Sequence, residues 1–168
     1  TVDGLFNFRG MRGETREAVL RRMQAAMSTT LAEAWAKRAP GLVVKTPQEA
    51  LVLASIVEKE TGKAEERALI AGVFVHRLRI GMKLQTDPTV IYGIGDRFNG
   101  NLTVKDLRTP SAYNTYVIKG LPPTPIAMPG RYALHAALNP ENTKALYFVS
   151  RGDGSHEFSE TYEQHNRS

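Results

Sequence analysis

Apolar side chains recur at helical spacing through the first half of the chain. Over residues 14–37 an apolar residue returns at every fourth position, which predicts one long helix. A second helix is predicted over residues 46–61. Thr46 is a suitable N-cap for it, Pro47 suits its first turn, and Glu49 stands three residues after Thr46, as in a capping box.

A third helix is predicted over residues 64–80, where Gly81 ends the apolar stripe. Beyond it Gly, Pro, Asn, Asp and Thr become dense, and the predicted elements are short. They are a helical turn from Asp87, an extended piece at 115–118, a helix at 130–138, and a hairpin of 145–150 with 155–159. The pattern indicates an α+β fold, in which a helix-rich first half is followed by short strands and ordered loops that form a substrate groove.

Composition narrows the classes of protein without choosing one. The 168 residues are 42% apolar, as in an ordinary globular domain, and the absence of cysteine excludes disulfides and a thiolate nucleophile. The net charge of +5 favours an acidic partner such as nucleic acid, anionic lipid or an anionic polymer, although charge alone is equally explained by solubility. No signal-peptide pattern opens the chain, so we expect an excised domain whose anchor lies outside it.

Two glutamates near the end of the second helix differ in the face they occupy. At about 100° per residue, Glu60 falls within the apolar stripe, one turn beyond Ile56 and Val57, whereas Glu58 falls on roughly the opposite face. A carboxyl group among apolar neighbours has a raised pKa, which suits a general acid near neutral pH. The plainer interpretation is a helix-end glutamate that is solvated or paired with an arginine of the third helix.

A single carboxyl group restricts the chemistry. Glycosidases that use water commonly need two carboxylates, one on each face of the sugar. One is enough when the substrate supplies its own nucleophile, as the 6-hydroxyl of N-acetylmuramic acid in peptidoglycan can.

Several segments, in order, resemble the YceG-like endolytic murein transglycosylases. The catalytic helix of that family is similar to Leu53-Ala-Ser-Ile-Val-Glu-Lys-Glu-Thr61. The further matches are residues 74–93, Thr109-Pro-Ser-Ala-Tyr-Asn-Thr-Tyr116, Gly120-Leu-Pro-Pro-Thr-Pro-Ile126, Gly154-Ser-His-Glu-Phe158 and His165-Asn166. The resemblance covers about residues 46–168, the expected catalytic core, and more loosely residues 1–45, an opening segment followed by the long helix. Residues 3–8 match the family poorly.

The resemblance implies a bacterial enzyme that cuts inside nascent glycan strands and leaves 1,6-anhydro-N-acetylmuramic acid ends, which limits strand length. It implies a location in the inner (cell) membrane through a single N-terminal helix, with the catalytic domain facing the periplasm or outer wall space. That helix and a small LysM-like subdomain are expected outside this sequence. The expected partners are peptidoglycan strands and peptidoglycan synthases, with no nucleic acid and no cofactor.

By the same resemblance Glu60 matches the catalytic glutamate, with Glu58 as the fallback. Amide, hydroxyl and ring side chains that could hold sugars complete the predicted site: Gln85, Thr86, Asp87, Tyr113, Asn114, Thr115, His156 and Phe158. Asp87 could instead cap a helix before Pro88, and the tyrosines could belong to the core. Asn114 could alternatively orient Glu60. The four histidines lack the spacing of metal ligands, so no metal is expected.

Three rival interpretations stay open on the sequence. A nucleic-acid module would need basic residues on one face, and the third helix mixes them with its apolar stripe. A glycan-binding or scaffold domain of the cell-wall machinery would leave Glu60 inert. An ordinary muramidase would use water and a second carboxylate, for which Asp87 is the one candidate.

Overall fold

Helices and one β-hairpin make up the regular structure of residues 13–168, the part of the chain that the computed structural model describes. Predictions for residues 1–12 lie outside this range. The elements are α1 (Arg16–Ala36), α2 (Pro47–Glu60), α3 (Arg67–Arg79), α4 (Asp87–Ile94), α5 (Val104–Arg108), α6 (Arg131–Leu138), β1 (Tyr147–Ser150), β2 (His156–Ser159) and α7 (Tyr162–Asn166). The mixture matches the predicted α+β class.

Helix α2 lies at the centre of the core. It packs against α1, α3, α4 and α6. All of its residues from Val52 to Val57 are buried, including Ala54 and Ser55, which lie off the predicted stripe. A helix that is covered all round is held rigidly by its neighbours. The position of its last residue, Glu60, is therefore well defined.

The predicted cap of α2 is confirmed with one change. The Thr46 hydroxyl accepts a hydrogen bond from the Glu49 backbone N–H at 3.1 Å. The Glu49 carboxylate accepts from the N–H of Lys45 at 2.8 Å instead of that of Thr46. The reciprocal bond of the capping box thus closes one residue earlier than predicted. The helix ends at Glu60 because Thr61 is already extended.

The second half contains more helix than predicted, and one predicted strand is wrong. Residues 115–118 form turns, because the N–H groups of Val117 and Ile118 both donate to the carbonyl of Asn114. The turn expected from Asp87 is an eight-residue helix, α4. The short helices α5 and α7, capped by Thr103 and Thr161, were not predicted.

The predicted hairpin is present with shorter strands. In the antiparallel pair β1–β2, Tyr147 lies opposite Ser159 and Ser150 opposite His156. The ring of Phe148 packs edge-on against Phe74 of α3, with centroids 5.6 Å apart, and this contact attaches the hairpin to the helical core.

The substitution Gly72→Ala tests how closely the chain crosses α3. A Cβ at this buried glycine would lie 2.2 Å from the backbone carbonyl oxygen of Glu141. We expect the variant to lose about 1–3 kcal/mol of unfolding free energy, measured by urea denaturation, although alanine normally favours a helix. The control Gly62→Ala, where a Cβ meets nothing within 4 Å, should stay within about 0.5 kcal/mol of the parent. Equal stability of the two variants would contradict the close crossing.

Candidate active site

A cavity of about 490 Å³ opens beside the last turn of α2. The chain segments that form it come from α2, α3, the start of α4, the turn at 116, the hairpin and α7. The lining residues are Glu60, Arg77, Leu84, Gln85, Asp87, Tyr116, Tyr147, Phe148, Val149, Ser150, His156, Tyr162 and His165. Acids, bases, amides and rings thus converge on one concave surface, as in carbohydrate and other ligand sites.

A second cavity, of about 640 Å³, lies between α1, the start of α2, α4 and residues 125–129. Its wall is mostly apolar, and among the described residues that line it Tyr92 alone carries an ionisable side chain. The groups able to transfer protons are in the smaller cavity. We therefore assign the chemistry to that one.

The carboxyl group of Glu60 is half-buried in the cavity wall and accepts a hydrogen bond from the hydroxyl of Thr86. Burial raises the pKa of Glu60 above its ordinary value of 4.5. The Thr86 bond and the positive charges of His156 and Arg77 lower this pKa, and the charge of Asp87 raises it, but burial dominates. Glu60 can therefore hold a proton at a pH where an exposed glutamate has lost it.

Two buried threonines, Thr89 and Thr115, hold the backbone of Thr86, whose own side chain is also buried. The backbone N–H of Thr86 donates to the Thr115 hydroxyl at 3.0 Å. The Thr115 and Thr89 hydroxyls lie 2.8 Å apart, and the Thr89 hydroxyl donates to the carbonyl of Thr86 at 2.9 Å. All three side chains are at most 2% exposed. The predicted site residue Thr115 thus lies behind Thr86 and does not line the cavity.

Gln85 has the only positive φ among the described non-glycine residues, at 50°. Its backbone N–H donates to the Thr115 carbonyl at 3.1 Å, and its exposed side chain lines the cavity. A left-handed conformation costs a side-chain-bearing residue roughly 1–2 kcal/mol, and such strain is typical of binding sites. The strained backbone places the flexible Gln85 amide at the cavity surface.

Asp87 provides a second carboxylate in the same cavity. The Tyr116 hydroxyl donates to its Oδ1 at 2.5 Å, and burial together with this bond raises the pKa of Tyr116. The alternative role of Asp87 as a helix cap is wrong, because Thr86 is the N-cap of α4 and Asp87 belongs to its first turn.

Arg77 is a cationic side chain of the cavity wall that the sequence did not single out. It is 6% exposed, its Nε donates to the Leu146 carbonyl at 2.7 Å, and one Nη donates to the Leu84 carbonyl at 2.7 Å. These bonds tie α3 to the segment before Gln85 and to the hairpin. The sequence also did not predict Tyr147 and His165 as site residues. Their rings stack next to Arg77, with centroids 5.1 Å apart.

Besides Thr86 and Thr115, three predicted residues lie away from the cavity lining. The Asn114 side chain is 1% exposed and donates to the carbonyls of Leu107 and Thr109, so it holds its own loop. The Tyr113 hydroxyl lies 2.8 Å from that of Thr124.

The third of them, Phe158, packs against Phe148, with ring centroids 6.0 Å apart. Its ring therefore supports the hairpin from behind and is not on the cavity surface.

Glu58, the fallback acid, lies outside the cavity. Its carboxylate accepts a hydrogen bond from the backbone N–H of Gly130 at 2.6 Å, where α6 begins. A carboxylate at a helix N-terminus is a common stabilising arrangement. Within residues 13–168 no cluster of three His, Asp or Glu side chains could hold a metal ion.

Comparisons with known proteins agree with this fold. The YceG-like family matches residues 6–168. An endolytic murein transglycosylase of Bacillus subtilis is 43% identical over 117 residues, which cover 70% of this chain and 32% of that protein. One of Streptococcus pneumoniae (strain D39) is 34% identical over 160 residues, 91% of this chain and 28% of that protein.

A crystal structure of a YceG-like protein from Listeria monocytogenes superposes with a TM-score of 0.79 at 35% identity and covers 96% of this chain and 52% of that one. The protein is thus a helix-rich α+β domain with a half-buried acid in a polar cavity. It belongs to the YceG-like family. The chain spans about a third of the length of the curated relatives that it matches.

The raised pKa of Glu60 has a consequence for stability. Because the folded state holds the proton more tightly than the unfolded state, the stability contributed by this group falls as pH rises from about 4.5 through the raised pKa. We expect Glu60→Gln to become more stable than the parent over that range, while the two converge below it. Urea denaturation at several pH values measures the difference.

The control is Glu65→Gln, which changes an exposed carboxylate close by. The pH dependence of its stability is the reference with which the Glu60→Gln curve is compared. If Glu60→Gln loses stability relative to the parent as pH rises, the surroundings of Glu60 favour its carboxylate form, which would contradict the raised pKa.

Proposed function

We propose that this chain is the catalytic domain of an endolytic lytic transglycosylase that cleaves the bond between N-acetylmuramic acid and N-acetylglucosamine in nascent peptidoglycan. The products are 1,6-anhydro-N-acetylmuramic acid ends, and the cut limits strand length. The observation that carries the proposal is the half-buried carboxyl group of Glu60 in a polar cavity. Relatives that share much of this chain are named for the same activity.

The chemistry follows from the two protonation states of Glu60. The protonated carboxyl group donates its proton to the glycosidic oxygen as the bond to C1 breaks. The resulting carboxylate takes a proton from the 6-hydroxyl of the same muramic acid residue as that oxygen attacks C1. The glutamate is then protonated again, and no water is consumed.

The surrounding side chains support each state of the glutamate. Burial favours the protonated acid, whereas the Thr86 hydroxyl and the positive charge of Arg77 stabilise the carboxylate between the two steps. The Gln85 amide suits an N-acetyl group. The Tyr116 and Tyr162 rings on the lining suit the faces of sugar rings.

The cellular setting is proposed from the family resemblance. It comprises a single N-terminal helix in the inner membrane, a LysM-like subdomain, and a catalytic domain in the periplasm or outer wall space beside peptidoglycan synthases. Among the helices of residues 13–168, none is both long and apolar enough to cross a bilayer. The net charge of +5 suits an anionic polymer as substrate.

A hydrolytic muramidase is the second candidate, because Asp87 places another carboxylate in the Glu60 cavity. Such an enzyme would use Asp87 to activate water and would leave reducing ends. Mass spectrometry separates the two, since an anhydro product is lighter by one water. Reducing ends from the parent protein, lost in Glu60→Gln, would favour the muramidase.

The substitution Glu60→Gln tests the proposed acid. The amide can still accept from Thr86 but cannot give a proton, so we expect cleavage of purified glycan strands to fall by at least about 100-fold with an unchanged fold. The control Glu58→Gln removes the carboxylate bonded to Gly130 and should keep the cleavage rate within about twofold. Parent-like cleavage by Glu60→Gln would contradict the role of Glu60 as the acid, whereas no cleavage by the parent itself would leave only a glycan-binding or scaffold role.

The pair Thr86→Val and Thr86→Ser tests the hydroxyl that orients Glu60. Because the Thr86 bond lowers the pKa of Glu60, its loss in the valine variant should raise that pKa and move the alkaline limb of the kcat/KM profile to higher pH. The rate at the optimum should fall roughly tenfold. The serine variant keeps the hydroxyl and should keep the profile. Identical pH profiles of kcat/KM for both variants would show that the Thr86 hydrogen bond does not set the pKa of Glu60.

A further inference from the structure

A carboxylate–imidazole pair, Glu66 with His156, lies at the wall of the cavity that contains Glu60, and His156 belongs to the lining. Glu66 is in the 3₁₀ turn that precedes α3, and His156 begins β2, 90 residues later. One carboxylate oxygen accepts from the His156 backbone N–H at 2.8 Å, and the other lies 2.8 Å from Nδ1 of the ring. The two side chains are 12% and 10% exposed. The Glu66 carboxylate therefore holds His156 at both its backbone and its ring.

This arrangement determines which ring nitrogen meets a ligand. Nδ1 faces the Glu66 carboxylate, an acceptor, so Nδ1 carries a proton. The other ring nitrogen of His156, Nε2, has no hydrogen-bond partner among residues 13–168. The ring itself lines the cavity beside Glu60. The ring of Phe148 packs edge-on against it, with centroids 5.4 Å apart, and limits its rotation.

The charge of Glu66 supports the same arrangement. Burial alone would raise the pKa of Glu66, but the hydrogen bonds from the His156 ring and backbone outweigh burial and lower it, with help from the charge of Lys63. Glu66 is therefore an acceptor at both oxygens. In glutamine an NH₂ donor replaces one of these two oxygens, so a donor would face either the backbone N–H or the protonated Nδ1, and the bond at that position would be lost.

We propose that Glu66 is a positioning residue for glycan cleavage, which acts through His156 by holding Nε2 toward the sugar bound beside Glu60. The proposal rests on the proposed function. His156 contacts the substrate through Nε2, and Glu66 does not touch the substrate. Neither group transfers a proton to the reacting atoms, which remains the task of Glu60.

The first test is a double-mutant cycle of cleavage rates. We expect Glu66→Gln and His156→Gln each to lower kcat/KM about tenfold, the size of one lost hydrogen bond to a charged or oriented partner. Because Glu66 acts through His156, the double variant should be no slower than His156→Gln alone. The matched control Glu65→Gln changes the exposed neighbour and should cleave like the parent. Losses that multiply, or a parent-like Glu66→Gln, would overturn the proposal.

The second test observes the ring directly and does not depend on a stable Glu66 variant. In protein with ¹⁵N-labelled histidine, Nδ1 of His156 should stay protonated from acidic to alkaline pH. In the Glu60→Gln protein, added glycan fragments should shift the Nε2 resonance while that of the exposed His135 stays constant. An unprotonated Nδ1 in the parent, or an Nε2 resonance that ignores bound glycan, would overturn the proposal.

Different outcomes refute the proposed function and the proposed role of Glu66. If the parent does not cleave glycan strands, or if Glu60→Gln cleaves them as fast as the parent, the proposed function of this site fails, whatever the ring resonances show. If Glu60→Gln is inactive but Glu66→Gln is parent-like, the proposed function stands and the role of Glu66 is rejected.

Discussion

The chemistry of the candidate site depends on the burial of one carboxyl group at the end of a central helix. Neighbouring elements bury α2 continuously from Val52 to Val57, and this packing holds the following turn with Glu60 in the cavity wall. Water that would stabilise a carboxylate is largely excluded there, and the proton is held more tightly as a result. The same packing that stabilises the core thus gives Glu60 the protonation state that an acid needs.

The second half of the chain supplies the groups around that acid through polar bonds instead of an extended sheet. Thr115 holds the backbone of Thr86, whose hydroxyl contacts Glu60. The buried Arg77 joins α3 to the hairpin and to the segment before Gln85. Three of these four bonds join residues that are 26 to 69 positions apart in the sequence. The cavity therefore forms only when the whole domain is folded.

Local patterns predicted much of this arrangement. The cap at Thr46 and the stripe of α2 located Glu60 in the wall rather than on the surface, and the glycines after Arg151 predicted the hairpin. The family resemblance placed residues 85–87 and His156 at the site. In the structure Gln85, Asp87 and His156 line the cavity, and the Thr86 hydroxyl contacts Glu60. The resemblance did not separate residues that face the cavity from those behind it, such as Asn114.

The remaining features depend on contacts that no local pattern encodes. Glu66 meets its partner 90 residues away, and Arg77 bonds to a carbonyl 69 residues away. Residues 115–118 are three β-branched residues and a tyrosine, which favour strands, yet they form turns because buried hydroxyl and amide bonds, including those of Asn114, override the local propensity. A single sequence gives the types of these residues but not their partners.

The most direct test of the account is a site-resolved titration of the Glu60 carboxyl carbon by NMR, assigned by comparison with Glu60→Gln. We expect the pKa of Glu60 to lie above the ordinary value of 4.5, because burial outweighs the Thr86 bond and the nearby positive charges. A Glu60 that titrates at or below 4.5 would be a solvated or paired carboxylate, and the central claim would be contradicted.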